Sequence, residues 1–205
     1  MRVPIFTPVV FALIAGMVWL ALKPGLERHV EWRQTLAVAA ATGFIVEGEA
    51  LGNLIANERA SVEIIGPASA RRAILSSAGV VTNAENNGVH YFLPREALTA
   101  IGGAELDISF EVRAPAVGGA EVWLIRCALS GVADSGWLET DIGEEWSVQT
   151  VRCPTDASAR GPAFDLMMWA DAEGDGGVIE LRRIVFRRIG GGSPRAALGS
   201  TGAMS

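Results

Sequence analysis

Between Pro4 and Leu22 lie 19 residues, PIFTPVVFALIAGMVWLAL, without a charged side chain, closed by Lys23, Pro24 and Gly25. A run of this length falls within the roughly 17 to 25 residues that cross a hydrocarbon core as a helix, where each backbone polar group is satisfied inside the segment. A cleaved signal peptide calls instead for a basic start, an apolar stretch of about 7 to 15 residues and a small-x-small exit. Here Arg2 is the one basic side chain ahead of the run, and the exit Ala21-Leu22-Lys23-Pro24-Gly25 has no such site. Residues 1–24 are therefore expected to be a single transmembrane anchor. Within it Ala12 and Gly16 are four apart, a small-xxx-small pair that lets a second helix approach closely.

Two signals oppose each other on orientation. Lys23, Arg28 and Arg33 follow the run, so the positive-inside rule alone puts the remainder in the cytoplasm. Against it stand Cys127 and Cys153, each ending an expected strand in parallel contexts, LIRC and TVRC. Bridged, they close a loop whose constraint on the unfolded chain is worth about 3 kcal/mol and fits an oxidising compartment. Unbridged, they are two buried thiols. With a strand-rich domain beside them, the expectation is a single-pass protein of a bacterial inner membrane with its domain on the periplasmic side.

Past the anchor, Leu26, Val30, Arg33 and Ala37 follow helical spacing, so residues 25–44 read as a partly helical connector. The pattern then changes to short β-branched runs separated by Gly, Asn, Asp and Pro, the pattern of an all-β sandwich or barrel. After a first strand in GFIVEGEA, strands are expected at 60–65, 73–76, 88–93, 104–114, 120–127, 136–140, 146–153, 164–170 and 178–189, with a helical turn or two at 94–101. The clearest is LDISFEVR, where Leu106, Ile108, Phe110 and Val112 share one face and Asp107, Ser109, Glu111 and Arg113 the other. Residues 45–189 are enough for one domain with a real core. The tail 190–205 lacks the large apolar residues that repay ordering and is expected to be flexible.

The stretch from about Tyr91 to Ile189 resembles the jelly-roll domains of carbohydrate-binding modules and their galactose-binding-like relatives. The resemblance is carried by the strand GAELDISFEVRA, the pair Gly136-Trp137, the strand EEWSVQTVRCP with Trp146 and Pro154, and the close MMWADAEGDGGVIELRRIVFRRI. It implies an all-β jelly-roll β-sandwich. In many such modules an acidic residue of the last strand helps to hold a structural calcium, whereas the corresponding run here is Leu181-Arg182-Arg183-Ile184. The resemblance thus supports the fold more than it supports sugar binding, since one fold hosts many functions.

Tryptophan rings stack on sugars and also fill cores and interfaces. Trp123, Trp137 and Trp169 are the candidate contacts with a ligand or partner; Trp137, next to Gly136 in an expected loop, is the best platform, and Trp146 is assigned to the core. Asp171, Glu173 and Asp175 imitate the start of an EF-hand loop, but its twelfth position is Arg182, where the ion needs a bidentate Glu. The segment reads as a hairpin turn, and no metal or cofactor is expected. The chain has two histidines and no G-x-S-x-G, P-loop or H-E-x-x-H pattern, which argues against an enzyme. A net charge of −6 argues against nucleic acid as partner.

Arg182, Arg183, Arg187 and Arg188 are the one basic concentration outside the anchor flanks. They suit an acidic partner surface or lipid head groups, or else pair across strands with the many acids. From these features the expected function is a noncatalytic, membrane-anchored accessory or structural subunit, packed on integral membrane protein subunits through its helix and its sandwich. The alternative is a membrane-tethered carbohydrate-binding module that holds a glycan.

Overall fold

The protein is described here from a computed structural model, covering residues 38–39, 41–57, 59–81, 88–101, 105–129, 133–155 and 164–189. The expected anchor with Ala12 and Gly16, most of the connector, and the tail 190–205 lie outside the described residues. Among those described, no helix is long and apolar enough to cross a membrane.

Eleven strands follow one another: β1 Phe44–Glu47, β2 Ile55–Ala56, β3 Ala60–Ile65, β4 Arg72–Ser77, β5 Val89–Leu93, β6 Glu105–Arg113, β7 Val122–Leu129, β8 Ala133–Asp141, β9 Ser147–Pro154, β10 Phe164–Trp169 and β11 Val178–Arg188. A helix, α1, spans Arg95–Ile101. It begins directly after Pro94 and turns Ala97, Leu98 and Ile101 inward. Nine of the strands occupy the segments that alternation marks out, and β1 occupies the GFIVEGEA segment. Only β2, two residues long, is too short to carry a period.

The antiparallel pairings are nested: β4 with β11, β5 with β10, β6 with β9, and β7 with β8. Successive pairs fall in alternate sheets, giving β3-β4-β11-β6-β9, with β1 also on β11, against β2-β5-β10-β7-β8. A long hairpin rolled so that each nested pair changes sheet is a jelly roll, and the two sheets close over one core. Alternation within the strands builds that core. In β6, Leu106, Ile108, Phe110 and Val112 are buried while the residues between them face out. Phe110 meets Trp123 of the opposite sheet edge-on, with ring centres 5.1 Å apart.

Cys127 on β7 and Cys153 on β9 are joined as a disulfide, with Cα atoms 5.8 Å apart and a sequence separation of 26. The bond ties the five-stranded sheet to the six-stranded one through the core. Replacing both cysteines by alanine is expected to cost about 3.5 kcal/mol, from the closure entropy of a loop this long, read as a lower midpoint in urea. The buried phenol of Tyr91 provides a second check, because burial pushes its pKa up to about 12. Folding then favours the protonated phenol, so stability is intact below pH 10 and is lost as the pH rises from about 10 to about 12. Tyr91→Phe should abolish that alkaline decline.

Candidate functional site

Both sheets turn a face outward. Across the five-stranded sheet, register places Ile55, His90, Met167, Arg126 and Trp137 in one row on the side away from the core. Trp137 is on strand β8 and not in a loop, because Gly136, at φ +66°, is absorbed as a bend within the strand. It is half-buried, its indole N–H is enclosed without an acceptor, and the Arg126 guanidinium lies 6.0 Å from its ring centre. Arg126 itself is fixed by its Nε donating to Asp134 at 2.9 Å. That pairing holds the Asp134 carboxyl below the usual carboxylate range.

The other two tryptophan candidates offer no ring surface. Trp123 faces inward and is fully buried. Trp169 faces outward by parity yet is also fully buried, with the Arg59 guanidinium 5.5 Å from its ring centre. The centre of this face is shielded as well: Met167 is 2 % and Leu124 4 % exposed. His90, buried beside them, places Nδ1 3.1 Å from both carboxylate oxygens of Asp165 and stacks on the half-exposed ring of Phe92. This face is not an open aromatic platform.

The outer face of the six-stranded sheet is different. Strand β11 alternates regularly until a β-bulge between Leu181 and Arg183 inserts one extra residue, Arg182. Before the bulge Ile179 and Leu181 point to the core, and after it Ile184 and Phe186 do. The phase slips by one, so two consecutive arginines both face away from the core. Register then sets Glu47, Arg183, Glu111 and Val148 in one outward row. Arg183 Nε lies 3.2 Å from Glu47, and Arg182 donates to Glu111. Hydrogen bonding from Arg182 holds the Glu111 carboxyl below its ordinary range, while Arg182 is raised by the same bond. One row further on, the nearly buried carboxylate of Glu180 is gripped by Arg113 at 2.8 Å and Arg72 at 3.3 Å.

Glu47, Glu111, Arg182 and Arg183 form the floor of a groove of about 590 Å³. One wall is the short 3-10 turn Ala68–Ala70 with Arg71 and Arg72; the other is Trp146. A second hollow of about 280 Å³ shares Glu111 and Arg183 with it and extends past Val148 and Val185 to Arg187. Trp146, expected in the core, is half-buried on this outer side, with the guanidinium carbons of Arg182 and Arg113 4.7 and 5.0 Å from its ring centre. Parity carries the reason: Val151 and Cys153 of β9 point inward, so even-numbered Trp146, Val148, Thr150 and Arg152 point outward. Of the four arginines marked in the sequence, Arg182, Arg183 and Arg187 line the groove; Arg188, at the end of β11, does not.

The acidic segment after β10 is a closed turn. Asp171 is buried, and its carboxylate accepts from the backbone N–H groups of Glu173, Gly176 and Gly177 at 3.0, 2.7 and 2.8 Å. Gly174 sits at φ +82°, and a Cβ there would come within 2.7 Å of the Gly79 backbone. The carboxylate is spent on holding the hairpin. Among the described residues no three His, Cys, Asp or Glu side chains converge as metal ligands.

No family model and no curated protein matches the chain. Solved structures that resemble it include carbohydrate-binding modules. The second N-terminal cellulose-binding domain of Cellulomonas fimi β-1,4-glucanase C aligns at 13% identity and TM-score 0.48, covering 72% of this chain and 92% of its own. A xylan-binding domain from Paenibacillus barcinonensis aligns at 12% identity and TM-score 0.45, covering 73% and 98%. A module of Cellvibrio mixtus lichenase 5A, solved with cellotriose, aligns at 11% identity and TM-score 0.42, covering 73% and 99%. At these scores the likenesses carry no inference about a ligand, and what the chain binds has to be argued from its own residues.

The Asp171 turn supplies a direct test. Burial alone would raise the Asp171 pKa, but the backbone donors of Gly177, Gly174, Glu173 and Gly176 outweigh it and the net shift is downward. A depressed carboxylate contributes stability above its unfolded pKa of about 3.9 and loses it as the pH falls through the folded value. Asp171→Asn should cost about 1 to 3 kcal/mol at pH 7 and flatten the acid limb of a stability–pH curve measured by chemical denaturation.

Proposed function

We propose that this protein is a noncatalytic binding module that holds a carbohydrate chain in the groove on the outer face of its six-stranded sheet. The run 4–22 tethers it to a bacterial inner membrane with the jelly roll on the periplasmic side. The observation that carries the reading is the composition of the groove: one indole, several guanidiniums and two carboxylates on a rigid sheet. A sugar ring offers C–H groups to an aromatic surface and pairs of hydroxyls to planar, bidentate side chains, and such sites are concave with a few polar groups fixing orientation. The sandwich needs no chemistry of its own for this task, which agrees with the absence of a catalytic sequence pattern.

The accessory-subunit expectation drew part of its support from the arginine-rich last strand as a contact for a neighbouring protein. In the folded domain Arg182 and Arg183 are engaged by Glu111 and Glu47 within the sheet. Those arginines line a concave groove.

Affinity electrophoresis of the full-length chain in mild detergent, through gels containing soluble xylan, mixed-linkage glucan or polygalacturonate, tests the proposal. At least one polysaccharide should retard the chain, and Trp146→Ala should weaken that retardation about tenfold while Trp137→Ala leaves it unchanged. Retardation by none of them, or equal loss in both variants, overturns the assignment of the groove. Deleting residues 4–22 should move the chain from the membrane pellet to the soluble fraction.

A further inference from the structure

The groove has more donors than its own acceptors can use. Its two hollows are lined by five arginines, at positions 71, 72, 182, 183 and 187, against the two glutamates 47 and 111. Each guanidinium carries five N–H donors in a planar fork and no acceptor. Only Arg182 has its fork committed to a direct hydrogen bond with a groove carboxylate, Glu111. Arg71 stands 3.7 Å from Glu49, beyond hydrogen-bond reach. Arg72 and Arg183 lie within ion-pair distance of Glu180 and Glu47, but their Nε atoms are buried without an aligned acceptor. Arg187 makes no ion pair among the described residues. Those enclosed Nε atoms are out of a ligand's reach, but the Arg72 and Arg183 side chains are 37% and 40% exposed, so the remainder of each guanidinium is open to the groove.

The charge balance points the same way. The chain as a whole carries −6, yet this one concave surface has an excess of positive side chains. Neutral sugars would leave that excess unanswered, because hydroxyls accept weakly and bring no charge. Carboxylate groups match the geometry of a guanidinium fork bidentately and strengthen each bond by charge. Trp146 beside the arginines supplies the apolar contact that a simple inorganic anion would not use.

We propose that the ligand of the groove is an acidic polysaccharide, its uronate carboxylates received by Arg72 and Arg183 and its ring faces by Trp146. This rests on the carbohydrate reading above and narrows it to a charged class. Polygalacturonate and its fully methyl-esterified form share one backbone and differ in the carboxylate charge, so the pair isolates that term; poly-L-glutamate supplies the charge without the sugar. With the full-length chain in detergent, polygalacturonate should bind, esterification should weaken binding about tenfold or more, and added salt should weaken the acid form alone. Arg72→Gln and Arg183→Gln should each remove most of the difference between the two forms, with circular dichroism and the thermal midpoint showing that the sandwich is intact. Equal binding of both forms overturns the acidic class while leaving carbohydrate binding standing. No binding of either form overturns the acidic class, and the carbohydrate reading falls with it only when xylan and mixed-linkage glucan also fail to bind; equal binding of poly-L-glutamate overturns the carbohydrate reading itself.

Discussion

Strand β11 is hydrogen-bonded on both edges. On one side β6 accompanies it from Glu180 to Arg188; on the other β4 takes its first part and β1 its last. Three strands drawn from the beginning and the middle of the domain therefore depend on the last one, and each depends on its register. A slip of a single residue would turn an entire side-chain set to the wrong face. The strand makes one such slip deliberately, at the bulge, and the core accepts it because Leu181 and Ile184 both still point inward. Everything that gives the outer face its chemistry follows from that local irregularity.

The fold was readable in the sequence to the extent that period 2 was present. The strand 104–114 shows its core and solvent faces in eight consecutive residues, and Arg182 at the twelfth position of the acidic segment excludes an EF-hand from sequence alone. What could not be read was the partnering of the strands, since nested pairs are separated by up to a hundred residues and no local pattern records them. Strand β2 was invisible for a simpler reason: two residues cannot show alternation.

The candidate site was half legible. Arg182, Arg183 and Arg187 stood out as a basic concentration, and they do line the groove. Trp146 was assigned to the core because aromatic residues usually dominate burial, although the parity of β9 already put it on the side of Val148 and Thr150. The bulge was also signalled, by apolar residues at 179, 181, 184 and 186 whose spacing runs two, three, two. Conversely, Trp123 and Trp169 have ring surfaces that nothing outside the fold can reach. Composition identifies which residues bind well; only register and burial decide which of them are offered.

The groove also has a place in time. Its floor and three of its arginines come from β11, while Trp146, Glu111 and the Arg71–Arg72 wall come from earlier segments that have no common surface until β11 is inserted among them. Pairings this distant in sequence form slowly, because loop closure must be met before contacts repay it. A chain still emerging from the ribosome therefore carries the ingredients of the groove without the groove. The concave surface exists only when the last strand of the jelly roll is in place, so the order of synthesis makes it the last feature of the fold to appear.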